Sequence, residues 1–182
     1  AKIISTGQGG FVTTRSEKIY QKLVAMRTQG VGDIVNAGWE QPGFNFRFTD
    51  VLAAIGIVQL DLLPNRIEKV KAIYKLYNEG LKGLPSIKII SVDLVAGEVP
   101  VYIEVLCESR QEMIDFLAAR AIQCRPFYPD LNYAQYLNNS GSFPNAEPFG
   151  LNGVYLPAGP EQSIENVHGV IKAIQEFYSL WR

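Results

Sequence analysis

K-I-I-S-T-G-Q-G-G occupies residues 2–10. A lysine, a branched apolar pair and two hydroxyl-bearing residues lead into Gly7, Gly9 and Gly10, with Gln8 between them. Glycine reaches backbone conformations closed to other residues, so the stretch reads as a tight turn. It matches neither common phosphate motif. G-x-G-x-x-G is absent, no strand pattern precedes the glycines, and the lysine comes before them rather than after. On local grounds Lys2 is either a solvated surface lysine or the working amine of a site. A phosphate-binding turn at residues 7–10 is a third option, weakened by the missing strand.

Working outward, residues 10–14 carry β-branched side chains and predict a short strand. Ser16 predicts a helix N-cap, followed by Ile19, Leu23, Met26 and Arg27 at helical spacing, with Gly30 as the residue that ends the helix. Residues 31–48 form a loop longer than a simple connection, and loops of that length often carry function. Within it, Gly43-Phe44-Asn45-Phe46-Arg47-Phe48 alternates polar and aromatic side chains. Alternation places Asn45 and Arg47 on one side and the rings on the other. An amide and a guanidinium beside a helix N-terminus suit a phosphate or a carboxylate. The competing reading is an edge strand with an aromatic core face.

Thr49 or Asp50 caps a helix carrying Val51, Leu52, Ile55, Val58 and Leu62 on one face. Pro64 should kink or break it, since proline removes a ladder donor and crowds the preceding turn. The pattern resumes at Ile67, Val70, Ile73, Tyr74 and Tyr77 and stops by Gly83-Leu84-Pro85. Uninterrupted, the span would reach about 50 Å, the length of a connector between two bodies. Beyond it, residues 87–92 and 99–106 predict strands. Ser109-Arg110-Gln111-Glu112 predicts a capping box, with Met113, Ile114, Leu117, Ala118 and Ala121 on one face of the helix that follows. Residues 122–125 predict a short strand ended by Pro126, and a polar, aromatic loop then runs to about Gly159. A last helix places Ile164, Val167, Ile171, Ile174 and Tyr178 on one stripe. Phe177, Tyr178 and Trp181 read as core or interface aromatics. The division is therefore residues 1–48, a connector at 49–85, and an α+β unit at 86–182. The first part, with a single strand, cannot complete a sheet by itself, which raises the expectation of a further segment upstream.

Composition narrows the function. The 182 residues carry a formal net charge of −1, which gives no electrostatic case for nucleic acid or an anionic membrane surface. No apolar run approaches the roughly 18 residues that span a bilayer. Cys107 and Cys124, both in apolar contexts, read as buried reduced thiols, consistent with a cytoplasmic setting. A single histidine, His168, argues against a histidine-based metal site and reads as a helix-surface or core-edge residue. Arg125-Pro126-Phe127-Tyr128-Pro129 is either a proline-stiffened packing loop or the wall of a substrate pocket.

Together these pieces resemble the DegT/DnrJ/StrS sugar aminotransferases, pyridoxal-phosphate enzymes of the aspartate-aminotransferase fold. The resemblance rests on K-x-x-x-x-G-x-G-G at residues 2–10, G-[FY]-N-[FY]-R at residues 43–47, the long helix, and R-P-F-Y-P at residues 125–129, in that order. It implies an α+β arrangement: the C-terminal small domain of a fold-type I transferase, with the last strand and the long connecting helix of the large domain. The rest of the large domain would lie upstream of Lys2. It implies that Lys2 is the catalytic amine that condenses with the aldehyde of pyridoxal 5'-phosphate. Asn45 would reach the cofactor phosphate across a homodimer interface, and Arg47 would favour an anionic group nearby. Arg125 and Tyr128 would contact substrate.

The implied reaction moves an amino group from an amino acid, glutamate, to a nucleotide-linked keto-sugar. Related dehydratases of this fold carry histidine in place of the lysine, so Lys2 favours transamination. One departure stands out: the family often has a histidine where this chain has Asn132. The residues that would pair with the pyridine nitrogen and stack on the ring lie upstream in the family and have no assignment here. The chain alone is therefore expected to be inactive or to bind the cofactor weakly. The rival reading is a non-catalytic interaction module that keeps the small domain.

Overall fold

The four strands of the sheet lie in the order β1-β2-β4-β3, all antiparallel. They are β1 (Ile87–Ile89), β2 (Ile103–Cys107), β3 (Arg125–Pro126) and β4 (Gly153–Leu156). The helices are α1 (Glu17–Arg27), α2 (Asp50–Gly80), α3 (Arg110–Ala118), α4 (Glu147–Asn152) and α5 (Ile164–Leu180). This computed structural model describes residues 2–33, 35, 38–39, 41–137 and 141–180, so Trp181 lies outside the described residues. The chain divides into two compact units, one of Ala1–Ile3 with Leu63–Arg182 and the other of Ile4–Leu62.

In the first unit β2 alternates buried and half-buried residues. Ile103, Val105 and Cys107 on β2, with Val154 and Leu156 on β4, are buried on one face. The register places Ile103 opposite Leu156 and Val105 opposite Val154, so matched branched side chains pack as cross-strand pairs. Against that face lie Met113 and Leu117 of α3, the Val167–Ile171–Ile174–Tyr178 stripe of α5, and Ile73, Tyr74 and Tyr77 of α2. The tyrosines are not left polar inside the core. Tyr77 donates its hydroxyl to the Pro157 carbonyl at 2.8 Å, and the Tyr74 hydroxyl accepts from the Val92 N–H at 2.9 Å. Cys107 is buried and Cys124 half-buried, both as free thiols.

In the second unit, Ser16 caps α1 by accepting from the Ile19 N–H, as its position before the apolar spacing predicts. The helix ends at Arg27 with Thr28 as its cap, earlier than Gly30, because Gln29 (φ 58) and Gly30 (φ 83) both take left-handed conformations. Thr49 Oγ1 accepts from the Leu52 N–H at 3.4 Å at the start of α2.

Several sequence expectations are corrected. Residues 10–14 form no strand, since among the described residues no neighbouring strand pairs with them, and Phe11 and Val12 stand exposed. Pro64 does not break α2, which continues unbroken for 31 residues, about 46 Å. The strand predicted at 99–106 begins only at Ile103, past Pro100, and ends at Cys107. The strand predicted at 87–92 ends at Ile89.

Ser109 makes no side-chain cap bond, because its ψ of 59° lies outside the extended region that aims the hydroxyl at the first turn. Ala121 lies outside α3, at φ 58. The strand expected at 122–125 forms instead at Arg125–Pro126, where Arg125 pairs with Tyr155. The long loop expected up to Gly159 contains α4 and the central strand β4.

Candidate functional site

Lys2 lies exposed in the unit that holds Leu63–Arg182. The peptide beside it is held: Arg66 of α2 donates from Nη1 to the Ile3 carbonyl at 3.1 Å, and its other terminal nitrogen lies 3.8 Å from Glu161. The Lys2 side chain is thus exposed, next to a residue whose carbonyl is held.

The glycine turn belongs to the other unit. Thr6 Oγ1 donates to the Gln8 carbonyl at 2.6 Å, and the Gly7 N–H donates to Ser5 Oγ at 3.2 Å. The Ser5 N–H donates to Gln59 Oε1 on α2 at 3.2 Å. Gly9 has φ +130, and a Cβ there would overlap the Phe48 ring. Glycine is required at that position twice over, by conformation and by space.

Asn45 and Arg47 share a side of their segment, as the alternation predicts. Arg47 Nε donates to Asn45 Oδ1 at 3.1 Å, while Phe44 and Phe46 stack with ring centroids 4.9 Å apart. The segment is stitched to the end of α1: the Phe44 N–H donates to Met26 O at 2.7 Å and the Phe46 N–H to Arg27 O at 3.0 Å, while the Gln29 N–H donates to Phe44 O at 2.9 Å. Thr28 and Asn45 form an isolated bridge. The stitching brings Gly43 against Gly30 so closely that a Cβ on either would overlap backbone atoms. Because Arg47 occupies Asn45 Oδ1, the Asn45 amide nitrogen is oriented as a donor, which suits an anionic oxygen.

Arg125 and Tyr128 are brought together. The Arg125 guanidinium lies 5.2 Å from the Tyr128 ring centroid and 5.0 Å from that of Tyr155. Both distances fall within cation–π range. Tyr155 also packs on Phe127 at 4.4 Å and Tyr102 at 5.1 Å, and Phe127 lies over Gly153, where a Cβ would overlap its ring. Register puts Glu104, Tyr155 and Arg125 in one row across β2, β4 and β3 on the sheet face opposite the core. Burial raises the Glu104 carboxyl above its ordinary value. The Tyr155 hydroxyl is also raised, chiefly by burial and then by Glu104, with Arg125 acting in the opposite direction.

Sequence reasoning missed Arg66, Glu104 and Tyr155. Arg66 follows Pro64 inside a helix and shows no pattern of its own. Glu104 alternates with apolar neighbours in V-Y-I-E-V, the one usable signal. Tyr155 was hidden because β4 was read as loop. Among the described residues no cluster of His, Cys, Asp and Glu could hold a metal ion, and no helix is long and apolar enough to cross a membrane.

Comparison with known proteins gives the family and the fold. GDP-perosamine synthase of Escherichia coli O157:H7 is 32% identical over 98% of this chain and 50% of that protein. The putative pyridoxal phosphate-dependent aminotransferase EpsN of Bacillus subtilis (strain 168) is 26% identical over 97% of this chain and 48% of that protein. The crystal structure of the aminotransferase TlmJ from Streptoalloteichus hindustanus superposes with a TM-score of 0.91 at 24% identity, covering all of this chain (100%) and 50% of that one; it shows the shared fold. The chain spans about half the length of the curated relatives it matches. With residues 1–175 matched by its family model, the chain belongs to the DegT/DnrJ/EryC1/StrS aminotransferase family.

Proposed function

We propose that this chain carries the lysine-bearing part of a pyridoxal-phosphate-dependent aminotransferase. The reaction moves an amino group from an amino acid, glutamate, to a nucleotide-linked keto-sugar in the cytoplasm. In this reading residues 86–182 are the small domain of a fold-type I transferase, 49–85 the connector, and 1–48 a part of the cofactor-binding domain. The observation that carries it is the Arg47–Asn45 bond, which readies an amide donor for a phosphate in a chain whose exposed Lys2 supplies the primary amine. A primary amine suits an aldehyde, and separately an oriented amide donor suits a phosphate oxygen.

When bound, pyridoxal phosphate supplies an electron sink for the bonds broken at the donor's α-carbon. The chain's own residues do the rest. Lys2 Nζ would accept the proton from the donor α-carbon and later return one on the acceptor side. Arg66 anchors the peptide next to that lysine. Asn45 Nδ2 would donate to the cofactor phosphate, in a homodimer to that of the partner. Arg47 fixes the Asn45 amide and adds positive charge for an anionic substrate group. Arg125 offers a guanidinium to the substrate beside the exposed Tyr128 ring.

Borohydride reduction of the chain after exposure to pyridoxal phosphate, followed by peptide mapping, tests the reading. One amine and a few amides supply only part of a pocket, so selectivity is the readout rather than amount. Labelling concentrated on Lys2 is expected. Even labelling across the lysines would overturn the role given to Lys2.

A further inference from the structure

The outer face of the sheet holds a carboxylate, a ring and a guanidinium in one row, and the order matters. Glu104 and Arg125 have opposite charges, yet among the described residues Arg125 makes no ion pair. They sit on strands separated by β4, about 10 Å apart by strand spacing. Tyr155 fills the position between them, in register with both. Tyr102 and Phe127 pack on the Tyr155 ring and fix its place. The guanidinium is held between Tyr155 and Tyr128.

Long arginine and glutamate side chains two strands apart can meet when the residue between them is short. A paired Arg125 would have its charge and its donor fork occupied. We propose that Tyr155 is a positioning residue that insulates Arg125 from Glu104, keeping the guanidinium available to an external anion. The ring backs the cation without consuming its N–H donors, which remain for the oxygens of a phosphate or carboxylate. This deepens the substrate role proposed above for Arg125 and rests on it. The ligand class is an anionic group carried by the substrate, for which a nucleoside diphosphate is the natural probe.

The test follows the Glu104 carboxyl by NMR titration in the full chain. Tyr155→Thr removes the ring and keeps a β-branched residue suited to the strand. The Glu104 midpoint is expected to fall in Y155T as the carboxylate gains a cationic partner, and to rise again in Y155T/R125Q. An unchanged midpoint in Y155T would overturn the insulation. A second measurement leaves the ring in place: in E104Q the Arg125 Nε–H resonance is expected to stay where it is, and a clear shift would mean the two charges already communicate. Guanosine diphosphate is then titrated against the same Arg125 resonance. A response lost in Y155T and restored in Y155T/E104Q supports the whole scheme. No response in the native chain, with the Glu104 results as expected, overturns the substrate role of Arg125 and leaves the insulation standing.

Discussion

Gly43 opens the segment that carries Asn45, and its missing Cβ is what lets residues 43–46 lie against the end of α1. Gly43→Ala would press a methyl group into the Gly30 backbone, which has no side-chain freedom to yield. A loss of about 2 kcal/mol or more is expected, by the ordinary cost of overpacking. Gly32→Ala, with open space around it, should be close to neutral. Thermal unfolding of both variants checks this, and hydrogen exchange should show the Phe44 and Phe46 amides losing protection in G43A alone. The thiols give a pH-dependent prediction. Burial pushes Cys107 up to about 11 and Cys124 up to about 12. Both are therefore neutral thiols at pH 8, and the thiolate is the reactive form. Native protein should react slowly with iodoacetamide at that pH, denatured protein quickly. Fast labelling of native Cys107 would contradict the buried placement.

Among the elements, α2 shows most clearly what a sequence pattern settles and what it leaves open. Its two apolar stretches were legible, and so was its start, narrowed to Thr49 or Asp50. Its continuity was not, because a proline's local cost of about 3 kcal/mol can be outweighed by packing further along, here Val70, Ile73, Tyr74 and Tyr77. Pro64→Ala should restore the ladder donor and raise the unfolding temperature. No change would mean that the surrounding helix has already absorbed the proline. Tyr77→Phe tests the other half of the helix: with the Pro157 carbonyl left without its donor, a loss of about 1–3 kcal/mol is expected in denaturant titration.

The legibility of the site follows the same division. The glycine turn and the shared side of Asn45 and Arg47 were readable because both depend on near neighbours. α5 was readable because its stripe is long. β4 escaped because G-V-Y-L is four residues whose strand character comes from pairing with β2 on one side and β3 on the other, partners distant in sequence. With β4 went Tyr155, and with Tyr155 the arrangement around Arg125. Arg66 escaped for a similar reason, since its acceptor lies 63 residues away.

At the scale of the molecule, apolar surface is unevenly spread. Val51, Ile55, Ile57, Val58, Leu60 and Leu62 of α2 are all exposed, as are Phe11, Val12 and Trp39. Patches of this kind mark association surfaces. If the proposed homodimer uses α2, sedimentation should show concentration-dependent self-association that Ile57→Glu weakens, and a strictly monomeric chain would remove the dimer from the reading. Arg66 grips the carbonyl of Ile3, so the lysine before it swings from a fixed root. An amine on a side-chain tether of ~6 Å explores a small sphere, equivalent to an effective concentration on the order of 1 M for any electrophile held inside it. Without that grip, the same amine would sweep a larger volume. An arginine that never touches the reacting atoms would thus set how often they meet.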